Sequence, residues 1–315
     1  MKNKSRIIYM GTPEFSVPAL QRLAFESEFT VCLAVTQPDR PKGRGKKLMP
    51  SPVKQSALEL GIEIFQPEKI NSIEAAEKLL SLEPDFFVVA AFGQILSQKI
   101  LDIPQIYPIN IHASLLPKYR GPSPIQAAIL NMDDLTGVTT MVMAKEMDKG
   151  DILISRSTPV SEHDTAEDLH ERLGEIGADL IVNTIHAILK KECFPIPQDH
   201  SKASYVKMLK KGDGRINWNL SSRKIQAHIN AMTPWPGAFS SLGNKHIKIF
   251  KAIAMEPPFP FDPGIIFLCD EDGIHVSTGK GSLVIRELMG ASGKRLKAKD
   301  FLCGHPIALP VKFDF

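Results

Sequence analysis

The sequence predicts an α/β protein in two parts: a Rossmann-like, doubly wound, mostly parallel sheet, then a C-terminal OB-like β-barrel. Three observations predict it. Short apolar runs alternate with amphipathic ones across roughly the first 190 residues, the βαβ rhythm of an open α/β sheet. Several runs, FFVVAAF and VCLAV among them, are continuously apolar, as strands covered on both faces must be. Beyond residue 209 the pattern changes to short alternating strands punctuated by Gly and Pro, the mark of a small barrel.

Taken in order, the strand candidates of the first part are Arg6–Met10, Phe29–Thr36, Ile62–Phe65, Phe86–Ala91 and Ile106–Ile111. Helical patterns fall between and after them at 16–25, 52–60, 72–82, 94–101 and 124–131. Two further strands, Val138–Met143 and Ile152–Pro159, precede a long helix. The run His163–Glu167 opens that helix with a capping pattern, and Leu169, Leu173, Ile176, Leu180 and Ile188 repeat at helical spacing. The spacing therefore predicts a catalytic-type sheet domain over 1–190. Pro195 and Pro197 break the pattern, and 191–208 reads as a linker. In 209–315 one helix at 221–231 precedes strands at 238–242, 246–254, 264–269, 273–277 and 282–288.

Composition narrows the class. With 43% hydrophobic and 23% charged residues, the chain is an ordinary globular one, and no apolar run approaches the ~20 residues of a bilayer span. The basic start is followed by too few apolar residues for a signal-peptide core and reads as a first strand. The four cysteines are scattered, without CxxC or a neighbouring His pair, so reduced thiols in a cytoplasmic protein and no metal site are expected. Residues 1–205 carry a net charge of −4 and 206–315 one of +7, which points the second part toward a polyanion. Within the acidic part, 39–54 alone holds +5. A solvated surface run is the plain reading of that stretch. Its place directly after the second strand favours nucleic acid.

Four motifs sit where chemistry is expected, in turns at the strands' carboxyl ends. Met10–Phe15 follows a strand but lacks GxGxxG, and Pro13 and Glu14 oppose a close pyrophosphate approach, so NAD binding is disfavoured. In the run Tyr107–Gly121, Asn110 and His112 stand two apart on one strand and project from one face. An amide donor beside an imidazole can hold a developing oxyanion; a hydrogen-bonded core pair is the structural alternative. In Glu146–Asp151 one carboxylate could orient His112, the alternative being a solvated acidic turn. The stretch Asp39–Pro50 offers cations on a glycine-loosened backbone, suited to phosphate.

Asn-Ile-His-Ala-Ser-Leu-Leu-Pro at 110–117 resembles the signature of the folate-dependent formyltransferase family. Thr36–Arg40 with GRGKKLMPSPVK at 43–54, Val88–Leu96, and Asn230–Gly237 resemble its methionyl-tRNA formyltransferase branch in particular, over nearly the whole chain. The resemblance implies a metal-free transfer from 10-formyltetrahydrofolate to the amino group of methionine on initiator tRNA. It implies catalytic roles for Asn110, His112 and Asp148. Folate contacts are implied at Ser114, Leu115, Leu116 and Pro117 and at Phe92, Gly93, Gln94 and Ile95. It places tRNA contacts at Lys42, Arg44, Lys46 and Lys47, with help from the barrel. The alternatives are a formyl-folate enzyme acting on a small amine, such as a nucleotide or amino sugar, and a nucleic-acid binder without catalysis.

Overall fold

The computed structural model describes residues 4–42, 47–256, 261–290 and 292–314, with Lys42 and Lys47 described in backbone only. Through the first part the strands are β1 (Ser5–Gly11), β2 (Phe29–Val35), β3 (Arg40–Lys42), β4 (Lys47–Met49), β5 (Ile64–Phe65), β6 (Phe86–Ala90), β7 (Tyr107–His112), β8 (Leu135–Val142) and β9 (Ile152–Pro159). The helices are α1 (Val17–Phe25), α2 (Pro52–Glu59), α3 (Ile73–Ser81), α4 (Gln98–Leu101), α5 (Pro124–Leu130) and α6 (Ala166–Leu189). Two compact units divide the chain. The first comprises residues to Pro124 with Thr136–Thr158 and His170–Val206; the second comprises Ile125–Leu135, Pro159–Leu169 and everything from Lys207.

The first unit is a sheet of order β5-β2-β1-β6-β7-β8-β9. β5, β2, β1, β6 and β7 run parallel, and β8 returns antiparallel to β7. Because parallel neighbours in register point side chains to the same face, the sheet sorts its residues cleanly. Ile8, Met10, Leu33, Val35, Phe87 and Val89 gather on one face with Ile70, Leu79, Ile100 and Leu101. Ile7, Tyr9, Phe86, Val88, Ile109 and Ile111 are buried on the other. Each large apolar side chain so buried contributes about 2 kcal/mol. A Cβ on Gly177 of α6 would stand 2.9 Å from Ile111 Cγ2, so the missing side chain lets that helix approach β7. Asn110 lies in register with Val89, which puts it and His112 on the face opposite α6.

Two local expectations shift. The helix predicted over 94–101 exists only at 98–101: Gly93 takes φ 90°, and the Gln94 amide is held by Pro67 and Ile70, which lays 91–97 down as a loop. The cap of α6 is a reciprocal pair between Thr165 and Asp168, the Asp168 amide donating to Thr165 Oγ1 and Thr165 N to Asp168 Oδ2. No helix among the described residues is long and apolar enough to cross a membrane.

In the second unit, α7 (Ser222–Met232) is followed by β10 (Ala238–Leu242), β11 (Lys245–Met255), β12 (Ile265–Cys269), β13 (Ile274–Ser277), β14 (Ser282–Met289), β15 (Arg295–Lys297), α8 (Ala298–Gly304) and β16 (Val311–Lys312). The sheet runs β10-β11-β14-β13-β12-β16, with β15 added on β14. It curls until its two edges meet, Asp314 N donating to Ser241 O at 2.8 Å. That contact covers part of both edges, where open strands would otherwise pair with other chains. Trp218, fully buried, stacks on Phe313 at 5.0 Å and donates its indole N–H to Ser240 Oγ. The Gln226 amide oxygen of α7 accepts from Ala254 N at 2.6 Å, fastening helix to barrel.

His228 on α7 is the weak point of this core. Its Nε2 is buried without a hydrogen-bond partner among the described residues, and burial pushes its pKa below the usual 6.5, against a smaller raising effect from its hydrogen bond to Gly214. As pH falls through about 6.5 the unfolded chain takes up this proton before the folded one does. Stability contributed by the neutral ring is therefore present above that pH and lost below it. His228→Gln should flatten the decline in urea-unfolding free energy between pH 7.5 and pH 5; a decline as steep as the parent's would show that another group controls it.

Candidate active site

The site is built at the carboxyl ends of parallel strands. Thr12, in the turn after β1, donates its hydroxyl to Phe92 O at 2.8 Å, and Gln37, after β2, donates its side-chain amide to the same carbonyl at 3.3 Å. Those bonds gather the turns after β1, β2 and β6 at one edge, and β7, beside β6, ends there in His112. The loop Ala113–Gly121 then turns back. Its first half is fastened internally: Ser114 Oγ donates to Lys118 O at 2.6 Å, and Thr139 Oγ1 donates to Ser114 O while accepting from Leu116 N.

The loop's second half faces the imidazole. His112 is buried, and its Nε2 lies 3.0 Å from Tyr119 O. A carbonyl only accepts, so Nε2 carries a proton and donates. The nitrogen left for chemistry is Nδ1, which stands 3.8 Å from Asp148 Oδ2, beyond direct hydrogen-bond reach. Asp148 Oδ2 itself accepts from Gly121 N at 2.7 Å, and this side chain is only 13% exposed. Asn110, half-buried, makes no side-chain hydrogen bond among the described residues. An amide with donor capacity to spare, an imidazole with one nitrogen free and a nearby carboxylate thus converge. That set can stabilise a growing negative oxygen and accept a proton from an attacking group.

Of the residues singled out from the sequence, Asn110, His112 and Asp148 come together. Among the expected folate contacts, Phe92 is buried in the sheet core, the Gln94 side chain is committed to Ile70 N and Pro67 O, and the Ser114 hydroxyl is committed to Lys118 O. Gly93 and Ile95 are open, Ile95 at 71% exposure, and Leu115 and Pro117 are half-buried. These turns therefore offer backbone and apolar surface more than side-chain polar groups. Leu116 is buried. Arg44 and Lys46 lie outside the described residues, as do the side chains of Lys42 and Lys47. The backbones of Lys42 and Lys47 pair in the hairpin β3–β4. Its base is pinned by Asp39, which meets Lys54 Nζ at 2.6 Å and Gln66 Nε2 at 2.7 Å; those two hydrogen bonds hold the Asp39 carboxyl below its usual pKa. Among the described residues no group of three or more His, Cys, Asp and Glu gathers as a metal site requires.

Sequence reasoning did not single out Arg120 or Gln198. Arg120 lies three residues beyond the signature and is 1% exposed. Gln198 donates to Asp148 O at 2.9 Å and Gly150 O at 2.6 Å, across a separation of about fifty residues that leaves no local pattern.

Both parts of the chain are similar to known proteins. The formyl transferase family model matches residues 4–185, and the formyl transferase C-terminal domain model matches 208–306. The methionyl-tRNA formyltransferase of Citrifermentans bemidjiense is 45% identical over 96% of this chain and 94% of its own, and that of Clostridium acetobutylicum 43% identical over 96% and 97%. Among solved structures, the N-formyltransferase of Helicobacter canadensis, in complex with folinic acid and dTDP-3-aminofucose, has a TM-score of 0.66 at 20% identity over 90% of this chain and 98% of its own. HypX of Aquifex aeolicus, in complex with tetrahydrofolic acid, has a TM-score of 0.63 at 16% identity over 96% of this chain and 47% of its own. These two likenesses establish the fold. Identity across both domains of its relatives goes further, and on it the chain belongs to the methionyl-tRNA formyltransferase family.

Proposed function

We propose that this chain transfers the formyl group of 10-formyltetrahydrofolate to the α-amino group of methionine carried on initiator tRNA. The observation that carries the reading is the uncommitted Asn110 amide beside the free Nδ1 of His112, with the Asp148 carboxylate 3.8 Å away. The folate co-substrate supplies an electrophilic formyl carbon bound to a nitrogen able to leave. The open backbone at Gly93, the exposed Ile95 and the half-buried Leu115 and Pro117 fit the flat pterin and its polar edge.

The rest is the work of three side chains. Asn110 donates its amide N–H to the formyl oxygen as negative charge builds there, a contribution of ~3 kcal/mol for one well-aimed donor. With Nδ1 protonated as well, His112 is an imidazolium that donates to the same oxygen, and Asp148 balances its charge. Asp148 Oδ2 is held by Gly121 N–H, which leaves Oδ1 to take the amine's proton directly or through water. The C–N bond to methionine forms, the bond to N10 breaks, and the proton ends on the departing nitrogen.

The tRNA is held, in this reading, by the cations of 42–47 and by the +7 second part of the chain. The hairpin leaves β2 at the edge where β7 ends, so an acceptor stem bound there brings its 3′ amine to Asn110 and His112. Transfer to a small amine, such as a nucleotide or amino sugar, is the weaker reading. The relatives alike over the whole chain carry the tRNA enzyme's name, whereas the amino-sugar complex is 20% identical. We place this activity in the cytoplasm, since it needs charged tRNA and reduced folate in one compartment.

Asp148→Asn is the sharpest test of the chemistry. The amide oxygen still accepts from Gly121 N–H, so the fold and both KM values should persist while kcat falls ~100-fold or more; near-parental turnover would return Asp148 to a solvated turn. Asn110→Ala should lose ~2–4 kcal/mol of transition-state stabilisation without weakening tRNA binding, read from kcat/KM beside a filter-binding titration. For the hairpin, Arg44→Ala should cost ~1–3 kcal/mol in the specificity constant for initiator tRNA, and Arg44→Lys should restore only part, because the charge returns without the planar fork. Equal small losses on methionyl initiator and elongator tRNAs would reduce the loop to general attraction.

A further inference from the structure

Asp148 sits in a conformation that has to be enforced. Its φ is 54°, a left-handed backbone costing a non-glycine residue ~1–2 kcal/mol. Two residues on, Gly150 packs so closely under β8 that a Cβ there would stand 1.7 Å from Val142 O. What grips this turn from the other side is one amide: Gln198 donates to Asp148 O at 2.9 Å and to Gly150 O at 2.6 Å. Both its N–H bonds are thereby used on the two carbonyls that flank the turn.

The same amide's oxygen is gripped in turn. Arg120 donates to Gln198 Oε1 from Nε at 3.0 Å and from Nη2 at 2.6 Å. Its other side-chain partners are Tyr205 OH at 2.8 Å and His200 Nδ1 at 2.9 Å; since arginine only donates, Nδ1 accepts. A guanidinium 1% exposed meets an amide, a phenol and an imidazole acceptor and forms no ion pair among the described residues, so its desolvation is offset by hydrogen bonds alone. Its backbone is fixed as well, Arg120 N donating to Ser204 O and Val206 N to Arg120 O, both at 2.8 Å. The adjoining Gly121 N–H is the donor on the Asp148 carboxylate. Arg120 and Gln198 thus hold the Asp148 turn at two points, through its carbonyls and through its side chain.

We propose that Arg120 and Gln198 are positioning residues for Asp148, and that segment 198–206 is a strap whose function is to aim that carboxylate at His112. The guanidinium polarises the Gln198 amide, strengthening its grip on Asp148 O and Gly150 O. Loosening the strap leaves both substrates bound and misplaces the acid–base group, and a displacement near 1 Å costs ~100-fold in rate. The proposal rests on the role given to Asp148.

The test is kinetics on Gln198→Leu, Arg120→Met, their double variant and Arg120→Lys in the full chain. Each apolar variant should lose kcat ~10-fold or more with both KM values within ~2-fold of the parent. The double variant should lose little more than the worse single one, because the two residues act as one chain of contacts. Arg120→Lys should recover part of the rate. Thermal unfolding checks that each assayed protein is folded. Gln198→Asn keeps the amide but is one methylene too short to span both carbonyls, and gives the same reading should the leucine variant be too unstable. Folded variants with parental kcat, a loss confined to KM, or additive losses in the double variant would each overturn the strap. If Asp148→Asn is inactive while the Gln198 variants are active, only this inference fails; if Asp148→Asn is active, the underlying reading fails with it.

Discussion

The hydrogen bond from Gly121 N–H to the Asp148 carboxylate, 2.7 Å long across 27 residues of chain, is the constraint on which the site depends. It joins the loop after β7 to the loop after β8, and neither is regular structure able to place a side chain unaided. With it in place, the same return loop brings Tyr119 O to His112 Nε2, and the imidazole is left with one working nitrogen. Remove the tie and the Asp148 carboxylate loses the one hydrogen bond among the described residues that aims it, although Gln198 still holds the turn's carbonyls.

The surrounding fold makes such a tie affordable. Continuous burial of both sheet faces fixes β6 and β7 relative to each other, so that Asn110 in register with Val89 projects at a defined height above the core. The apolar face supplies stability and the polar loops spend it: a left-handed aspartate, a buried guanidinium with neutral partners, and a half-buried amide with donors to spare. Local departures from the lowest-energy choice gathered around one carboxylate are what a site prepared for a transition state requires.

Much of this was legible in the sequence because periodicity is a statement about burial. The uninterrupted apolar runs at β2 and β6 announced a covered parallel sheet, and the i, i+2 spacing of Asn110 and His112 announced a shared face. The five barrel strands foreseen after residue 209 all form. What escaped was set by tertiary contact. Residues 94–97 have a helical pattern, yet Gln94 is pulled to Pro67 O and Ile70 N. The short β15, β16 and α8 carry too few residues for a period to register. Segment 191–208 reads as a linker because prolines interrupt it, yet as far as Val206 it is hydrogen-bonded onto the first unit through Gln198, Ser204 and Tyr205. No spacing rule connects Gln198 to Asp148. In the turns where folate contacts are expected, the Gln94 and Ser114 side chains are committed to holding their own loops, a tertiary use that no local pattern announces.

Following the formyl carbon tests the assigned transfer most directly. Folate labelled at the formyl group is mixed in a single turnover with the purified chain, methionyl initiator tRNA and an excess of an amino-sugar nucleotide. Label should appear on the methionine amino group of the tRNA and not on the sugar, with one tetrahydrofolate released per formyl transferred. Label on the sugar, or folate hydrolysis without labelled tRNA from a folded enzyme, would contradict it.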